Sequence, residues 1–362
     1  MKHLIYISHL IILILPGSVE DYFLVELYGF SYPIQTILLP FFYFDNILKN
    51  RINLLFTVFY ILLSLIISSY YEENTVILFL YTLLVLRFDH NFTQNNSRLL
   101  KVSLLSSVLI LTFQLIFQFV GTYRVDYGVD ILNKGFHTTA GDPNFSGFII
   151  AFFGYIYFKF FRDKSLLNYA FLILMVFGVL LTESRGATLL LLPTVLIAIR
   201  FFNVSNKYKI LIVISLTLCL YLLVNSYNDL FSKWNKIDHN LTLEVVSSGR
   251  NNRIEESLEY IDIFTFLNLK TNVVPYHFVV KDSIFAPHNF YLAVFLSFGL
   301  TSIFIIYFFL KKFFLGFKTS DYNHKIFLFF VFFIIANIES YFLNVYVLYL
   351  ITPWLIIDKV KS

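Results

Sequence analysis

The sequence predicts an all-α polytopic membrane protein of about twelve transmembrane helices, with a long outer loop that contains short amphipathic helices. Three observations lead there. Of the 362 residues, 58% are hydrophobic and only 14% are charged, whereas a water-soluble domain is nearer half apolar and a quarter charged. A mean hydropathy of +0.74 leaves nothing with which to build a polar coat. Apolar runs of about 20 residues, the length needed to cross the hydrocarbon core, recur along the chain between charged positions. The same composition excludes disorder, collagen and a disulfide scaffold, with 13 Gly, 8 Pro and one Cys. A net charge of +4 is too small to point to nucleic acid.

Taken in order, the expected spans are 3–19, 27–45, 52–70, 75–88, 98–120, 145–161, 166–182, 187–201, 209–226, 288–310, 325–342 and 344–357. The first run, with Lys2 before it and Pro16-Gly17-Ser18 after it, also fits a cleaved signal peptide. Basic residues in short loops stay on the cytoplasmic side. With the N-terminus inside, that side receives Lys49, Arg51, Arg87, Arg98, Lys101, Lys159, Arg162, Lys164, Arg200, Lys207, Lys209 and the group Lys311, Lys312, Lys318 and Lys325. The opposite loops carry Glu20, Asp21, Glu26, Glu72 and Glu73. Counted over the chain, the inner side has 18 Lys and Arg with 5 Asp and Glu, and the outer side has 9 with 18. The expectation is therefore an even number of spans with both termini cytoplasmic. The chain 1–362 reads as one polytopic domain. Two connections, 121–144 and 227–287, are too long for turns and fall on the outer face; loops of that length are usually functional.

Polar groups where lipid or tight packing should forbid them mark function in a membrane protein, and three outer stretches have them. The first is His137-Thr138-Thr139-Ala140-Gly141-Asp142-Pro143-Asn144-Phe145-Ser146-Gly147, at the entrance to an apolar span. Asp142 there suits an N-cap, with Pro143 and Asn144 in the first turn; alternatively Asn144 and His137 hydrogen-bond a ligand. The second is Thr182-Glu183-Ser184-Arg185-Gly186-Ala187-Thr188, a short hinge between two spans. Arg185 at the hydrocarbon boundary needs a partner, either Glu183 in an ion pair or a phosphate that matches its planar fork. Gly186 and Ala187 are small enough for a helix or ligand to approach the backbone.

The third stretch is the second long loop. Ser247-Ser248-Gly249-Arg250-Asn251-Asn252-Arg253 precedes Ile254, Leu258, Ile261 and Leu267 at near-helical spacing, with Glu255, Glu256, Glu259 and Asp262 elsewhere, which predicts an amphipathic helix. Arg250 and Arg253 at its positive end are unfavourable unless an anion binds there or the glutamates pair with them. The loop closes with Ala286-Pro287-His288-Asn289-Phe290-Tyr291-Leu292, and Gly299 follows. His288 has the one side chain that exchanges a proton readily near neutral pH. No HExxH, Cys cluster, DxD, glycine-rich phosphate loop or nucleophile elbow is present, so neither a metal nor a cofactor is expected.

In their order and on their shared face, the Asp-Pro-Asn-Phe-Ser-Gly, Glu-Ser-Arg-Gly, Ser-Gly-Arg and Pro-His-Asn-Phe-Tyr-Leu stretches resemble the O-antigen polymerase and O-antigen ligase superfamily of bacterial membrane glycosyltransferases. The resemblance covers about residues 136–310, and residues 271–281 depart from many members in having no Gly-x-Gly run. It implies transfer of a glycan from undecaprenyl diphosphate on the outer face of the cytoplasmic membrane, without nucleotide sugar or metal. The partners implied are an undecaprenyl-diphosphate-linked oligosaccharide, membrane lipid and a chain-length regulator protein, with no nucleic acid. In this reading His288, Arg250 and Arg185 are catalytic. Arg253, Asn289, Asn144, Asp142, Glu183 and His137 bind substrate. A repeat-unit polymerase is expected, with a ligase that loads finished glycan onto lipid A-core as the alternative and a lipid-linked oligosaccharide flippase as the rival from another class.

Overall fold

The computed structural model describes residues 24–27, 30–33, 55, 97–121, 136, 138, 143–160, 166–201, 255, 258, 261, 263, 278–280, 283–285 and 289–336. The expected spans 3–19, 52–70 apart from Leu55, 75–88, 209–226 and 344–357 lie outside the described residues. The contacts divide the chain into two compact units, Met1–Glu26 with Thr93–His239 and Lys359–Ser362, and Leu27–Phe92 with Asn240–Asp358.

Two short strands, β1 (Leu24–Leu27) and β2 (Phe30–Pro33), stand where the span 27–45 was expected to begin. That start is corrected. A helix from residue 27 would carry Gly29 and Pro33 in its interior, and Pro33 would remove a backbone donor there, whereas a strand end tolerates proline.

The first unit is a bundle of α1 (Ser97–Phe119), α2 (Pro143–Phe160), α3 (Leu166–Leu181) and α4 (Arg185–Phe201). All four fall within two residues of the apolar runs expected at 98–120, 145–161, 166–182 and 187–201. Their directions alternate. The Phe119 ring meets Phe136 and Phe177 edge-on, and the Phe136 N–H donates to the Leu181 carbonyl. The ends of α1 and α3 and the starts of α2 and α4 therefore gather at one pole. At the opposite pole the buried Tyr157 hydroxyl donates to Asn168 Oδ1 at 2.7 Å, tying the end of α2 to the start of α3.

Small residues permit apolar helices to pack closely against one another. A Cβ at Gly147 would meet Thr182 Oγ1 at 2.5 Å and the Ala187 Cβ at 2.8 Å; one at Gly178 would meet Thr112 Oγ1 at 2.8 Å; one at Gly154 would run into the Met175 thioether. These three glycines thus set the α2–α4, α3–α1 and α2–α3 contacts. Around them lie Phe148, Phe152, Phe153, Tyr155 and Tyr157, all fully buried.

In the second unit, residues 255, 258 and 263 are helical, and Leu258 and Ile263 are exposed. The long loop also contains a hairpin that its amphipathic pattern did not announce. Its strands β3 (Phe278–Val280) and β4 (Ser283–Phe285) pair antiparallel in the register Phe278 to Phe285, Val279 to Ile284 and Val280 to Ser283.

The span expected over 288–310 is corrected. The chain forms α5 (Phe290–Phe298), a 3₁₀ turn at Gly299–Thr301 and α6 (Ser302–Thr319). Phe290 and Phe309 stack with centroids 4.5 Å apart, so α6 runs back along α5. In one straight helix those residues would be about 28 Å apart. Gly299 makes the reversal at φ 51°, in the left-handed half of the map where a side chain would be strained. Lys311, Lys312 and Lys318, expected in a loop, belong to α6.

After Ser320, α7 (Tyr322–Phe329) turns back again, with Asp321 Oδ1 accepting from the His324 N–H, and continues as a π-helix over Phe330–Ile335. Phe309 and Phe313 meet Phe332 at 4.4 and 5.3 Å, and the Tyr291 hydroxyl donates to the Phe332 carbonyl. Phenylalanine stacking thus binds the three helices. Among the described residues, Gly299–Lys318 is long and apolar enough to cross a membrane.

Candidate functional site

The pole of the first unit brings together two stretches that are some 40 positions apart in the sequence. Helix α2 begins at Pro143, where proline's missing N–H costs nothing. In its first turns, Asn144 is partly exposed and Ser146 is buried. The Ser146 hydroxyl accepts from the Thr138 N–H at 2.9 Å and lies 2.8 Å from Thr138 Oγ1. One residue on, bare Gly147 lets the turn between α3 and α4 sit against α2.

That turn is short. The Thr182 and Glu183 N–H groups donate to the Val179 and Leu180 carbonyls, and Thr182 Oγ1 also donates to the Val179 carbonyl. Glu183, partly exposed, takes φ 52°, which is rare for a residue with a Cβ. Ser184 then starts α4: its hydroxyl accepts from the Ala187 N–H at 3.3 Å, an N-cap bond. Arg185 is the first residue of α4.

Two helix starts, each carrying a partial positive charge from unsatisfied N–H groups, therefore lie side by side with buried Thr138, Ser146, Thr182 and Ser184 between them. Such a pole favours anionic or hydroxyl-rich ligands. Of the residues expected at this site, Asn144, Glu183 and the backbone of Arg185 are at the pole. His137, Asp142 and the Arg185 side chain lie outside the described residues.

In the second unit, Asn289 is the N-cap of α5, with φ −141° and ψ 119°, and its Oδ1 accepts from the Leu292 N–H at 3.0 Å. His288 immediately precedes this cap in sequence. His288, Arg250 and Arg253 lie outside the described residues. Among the described residues, no group of three or more His, Cys, Asp or Glu is placed to hold a metal.

Thr138 and Ser146 stand within the 137–147 stretch singled out by sequence, but their pairing with each other was not legible there. The cap role of Asn289 had a signal: an Asn directly before an apolar helical run, the pattern read at Asp142. Comparison of the chain with family models, with curated proteins and with solved structures finds no match in any of the three.

Proposed function

We propose that the protein is a polysaccharide repeat-unit polymerase of a bacterial cytoplasmic membrane, acting on its outer face. The growing glycan, O-antigen or capsular, would move from undecaprenyl diphosphate onto the next lipid-linked repeat unit. An acceptor sugar hydroxyl attacks C1 of the donor. The bond from C1 to the diphosphate oxygen breaks, its electron pair leaves with undecaprenyl diphosphate, and the hydroxyl proton passes to His288. General-base help of this kind contributes about a hundredfold or more. Arg185 and Arg250, with Arg253, hold the charge that develops on the diphosphate; removing one such contact typically costs about 3 kcal/mol of barrier. Asn144 and Asn289 orient sugars, and Asp142, Glu183 and His137 supply further polar contacts. The chemistry needs no metal or cofactor.

One observation carries the reading. Through the seat of Gly147 on Thr182, Ser184 and Ala187, and the Phe136 N–H bond to the Leu181 carbonyl, the Asp-Pro-Asn-Phe-Ser-Gly and Glu-Ser-Arg-Gly stretches share one pole of one bundle. Two of the four stretches on which the resemblance rests are thereby neighbours in space.

Purified protein given a lipid-linked repeat unit, with neither nucleotide nor ion gradient, should elongate it. Cells lacking the gene should carry single-repeat glycans. Long chains stranded on undecaprenyl diphosphate would instead indicate the ligase, and repeat units trapped at the inner leaflet a flippase. His288→Ala and Arg250→Ala proteins that insert normally yet make full-length polymer would overturn the catalytic assignment.

A further inference from the structure

The helical pair α5 and α6 has one outward face that the rest of its unit does not cover. Leu300 in the 3₁₀ turn, and Ile303, Phe304, Tyr307, Phe314 and Leu315 along α6, are exposed, at the spacing that places them on a single stripe. The opposite side, with Ile305, Phe308, Phe309 and Phe313, is buried. Exposed Lys311 and Lys318 interrupt this apolar stripe on the same side, seven residues apart. Lys325 of α7 adds its ammonium 5.3 Å from the Phe317 ring, next in sequence to Lys318.

Two lengths fix how such a surface can meet a bilayer. Helix α5 has nine residues, about 13 Å. From Leu300 to Lys311 the stripe runs about 16 Å. Each matches half of a hydrocarbon core of about 30 Å. At one end of both lengths is the buried Gly299 reversal, flanked by Phe298 and Leu300 and by the hydroxyls of Thr301, which donates to the Phe298 carbonyl, and buried Ser302; at the other are the polar cap Asn289 and the exposed Lys311. If α6 instead crossed the whole core, Asn289 and Lys311 would both lie well inside hydrocarbon, where an amide and an ammonium are costly.

We propose that residues 290–310 form a re-entrant hairpin that enters and leaves the membrane at one face, and that its outer stripe binds an anionic phospholipid. Acyl chains lie along Leu300, Ile303, Phe304 and Tyr307. The headgroup phosphate sits on Lys311 and Lys318, whose stems run along the apolar stripe while their ammonium groups reach the headgroup layer. Asn289 and Lys311 then share one membrane face, in place of the opposite faces expected from loop charge. The proposal rests on the chain being a membrane protein and does not depend on the sugar chemistry.

The test uses full-length protein with Cys219→Ser, reconstituted in phosphatidylglycerol–phosphatidylcholine vesicles. Single cysteines replace Leu300, Ile303, Tyr307, Lys311, Leu315 and Lys318 in turn, each spin-labelled. Collision with oxygen and with a water-soluble nickel chelate gives the depth of each label. The expected profile is deepest at Leu300 and rises steadily to the interface at Lys311 and Lys318. A profile deepest near residue 309, with both ends shallow, would overturn the hairpin in favour of a full crossing. Nickel access at every position would overturn the membrane reading itself. Lys311→Gln and Lys318→Gln should each lower the phosphatidylglycerol retained in native mass spectra by about fivefold relative to phosphatidylcholine; unchanged retention in the double variant would overturn the headgroup site.

Discussion

Replacing Gly147 by alanine tests whether α2 and α4 really touch at the pole. Two effects oppose each other. Alanine favours a helix by about 1 kcal/mol over glycine, so an unpacked Gly147 would gain stability on substitution. Here the new Cβ falls 2.5 Å from Thr182 Oγ1, 2.8 Å from the Ala187 Cβ and 3.2 Å from the Ser184 Cβ. Ala187 cannot turn aside, because its Cβ is fixed to the backbone of α4. The helices must therefore part by about 1 Å, and a gap of that size forfeits a quarter to a half of each contact well it opens. Overpacking of this kind costs about 1–3 kcal/mol; with the Ala187 Cβ unable to yield, the cost falls in the upper part of that range, about 2–3 kcal/mol, so a net loss of about 1–2 kcal/mol remains after the propensity gain. Unfolding of the detergent-solubilised variant measures it. Gly154→Ala probes the α2–α3 contact in the same way, because its Cβ would run into the thioether of the fully buried Met175. If Gly147→Ala matched or exceeded the wild type in stability, the close approach of the two stretches would be refuted.

Substitutions at three further residues separate structural from chemical roles. Asn289→Asp keeps an acceptor for the Leu292 N–H and should hold stability while lowering polymerisation, whereas Asn289→Ala should also lose about 1 kcal/mol of cap energy, both read by unfolding and turnover together. Tyr157→Phe removes the buried donor to Asn168 Oδ1, and an unfolding curve should register about 1–3 kcal/mol of destabilisation. Thr112→Val should be neutral or stabilising in the same measurement, because the buried Thr112 hydroxyl makes no hydrogen bond and a methyl group of similar size fits beside Gly178.

The four helices of the first unit were legible because each apolar run is bounded by charge or by a cap, Pro143 at the start of α2 and Ser184 before α4. The reversal at Gly299 was not. From Phe290 to Leu310 the sequence carries no charge and, tyrosines aside, only Ser297, Thr301 and Ser302 as polar side chains, and a hydropathy window sums composition without sensing direction, so two antiparallel helices and one long helix read alike. The strand at Phe30–Pro33 carried its own signal, a proline that a helix interior rejects, and the apolar length outweighed it. At the candidate site, residue types and order were visible. What brings Thr138 to Ser146 and Gly147 to Thr182 is packing across three helices, which no local pattern encodes. Glu183 was read as a charge partner for Arg185; its backbone at φ 52° shows that it also forms the bend on which α4 turns.

In the proposed re-entrant hairpin, the reversal at Gly299 also governs how this part of the chain would be inserted during synthesis. A translocation channel releases a segment sideways into lipid when it is about 20 residues long and apolar, and the nine residues of α5 are too few to qualify alone. Their buried face, centred on Phe290, is closed by Phe309 and Phe332, which are made 19 and 42 positions later. On that proposal α5 waits for α6, and the two enter together as a closed pair. Lengthening the Gly299–Thr301 turn with charged residues should consequently impair membrane integration of the pair while leaving integration of α1 to α4 unchanged.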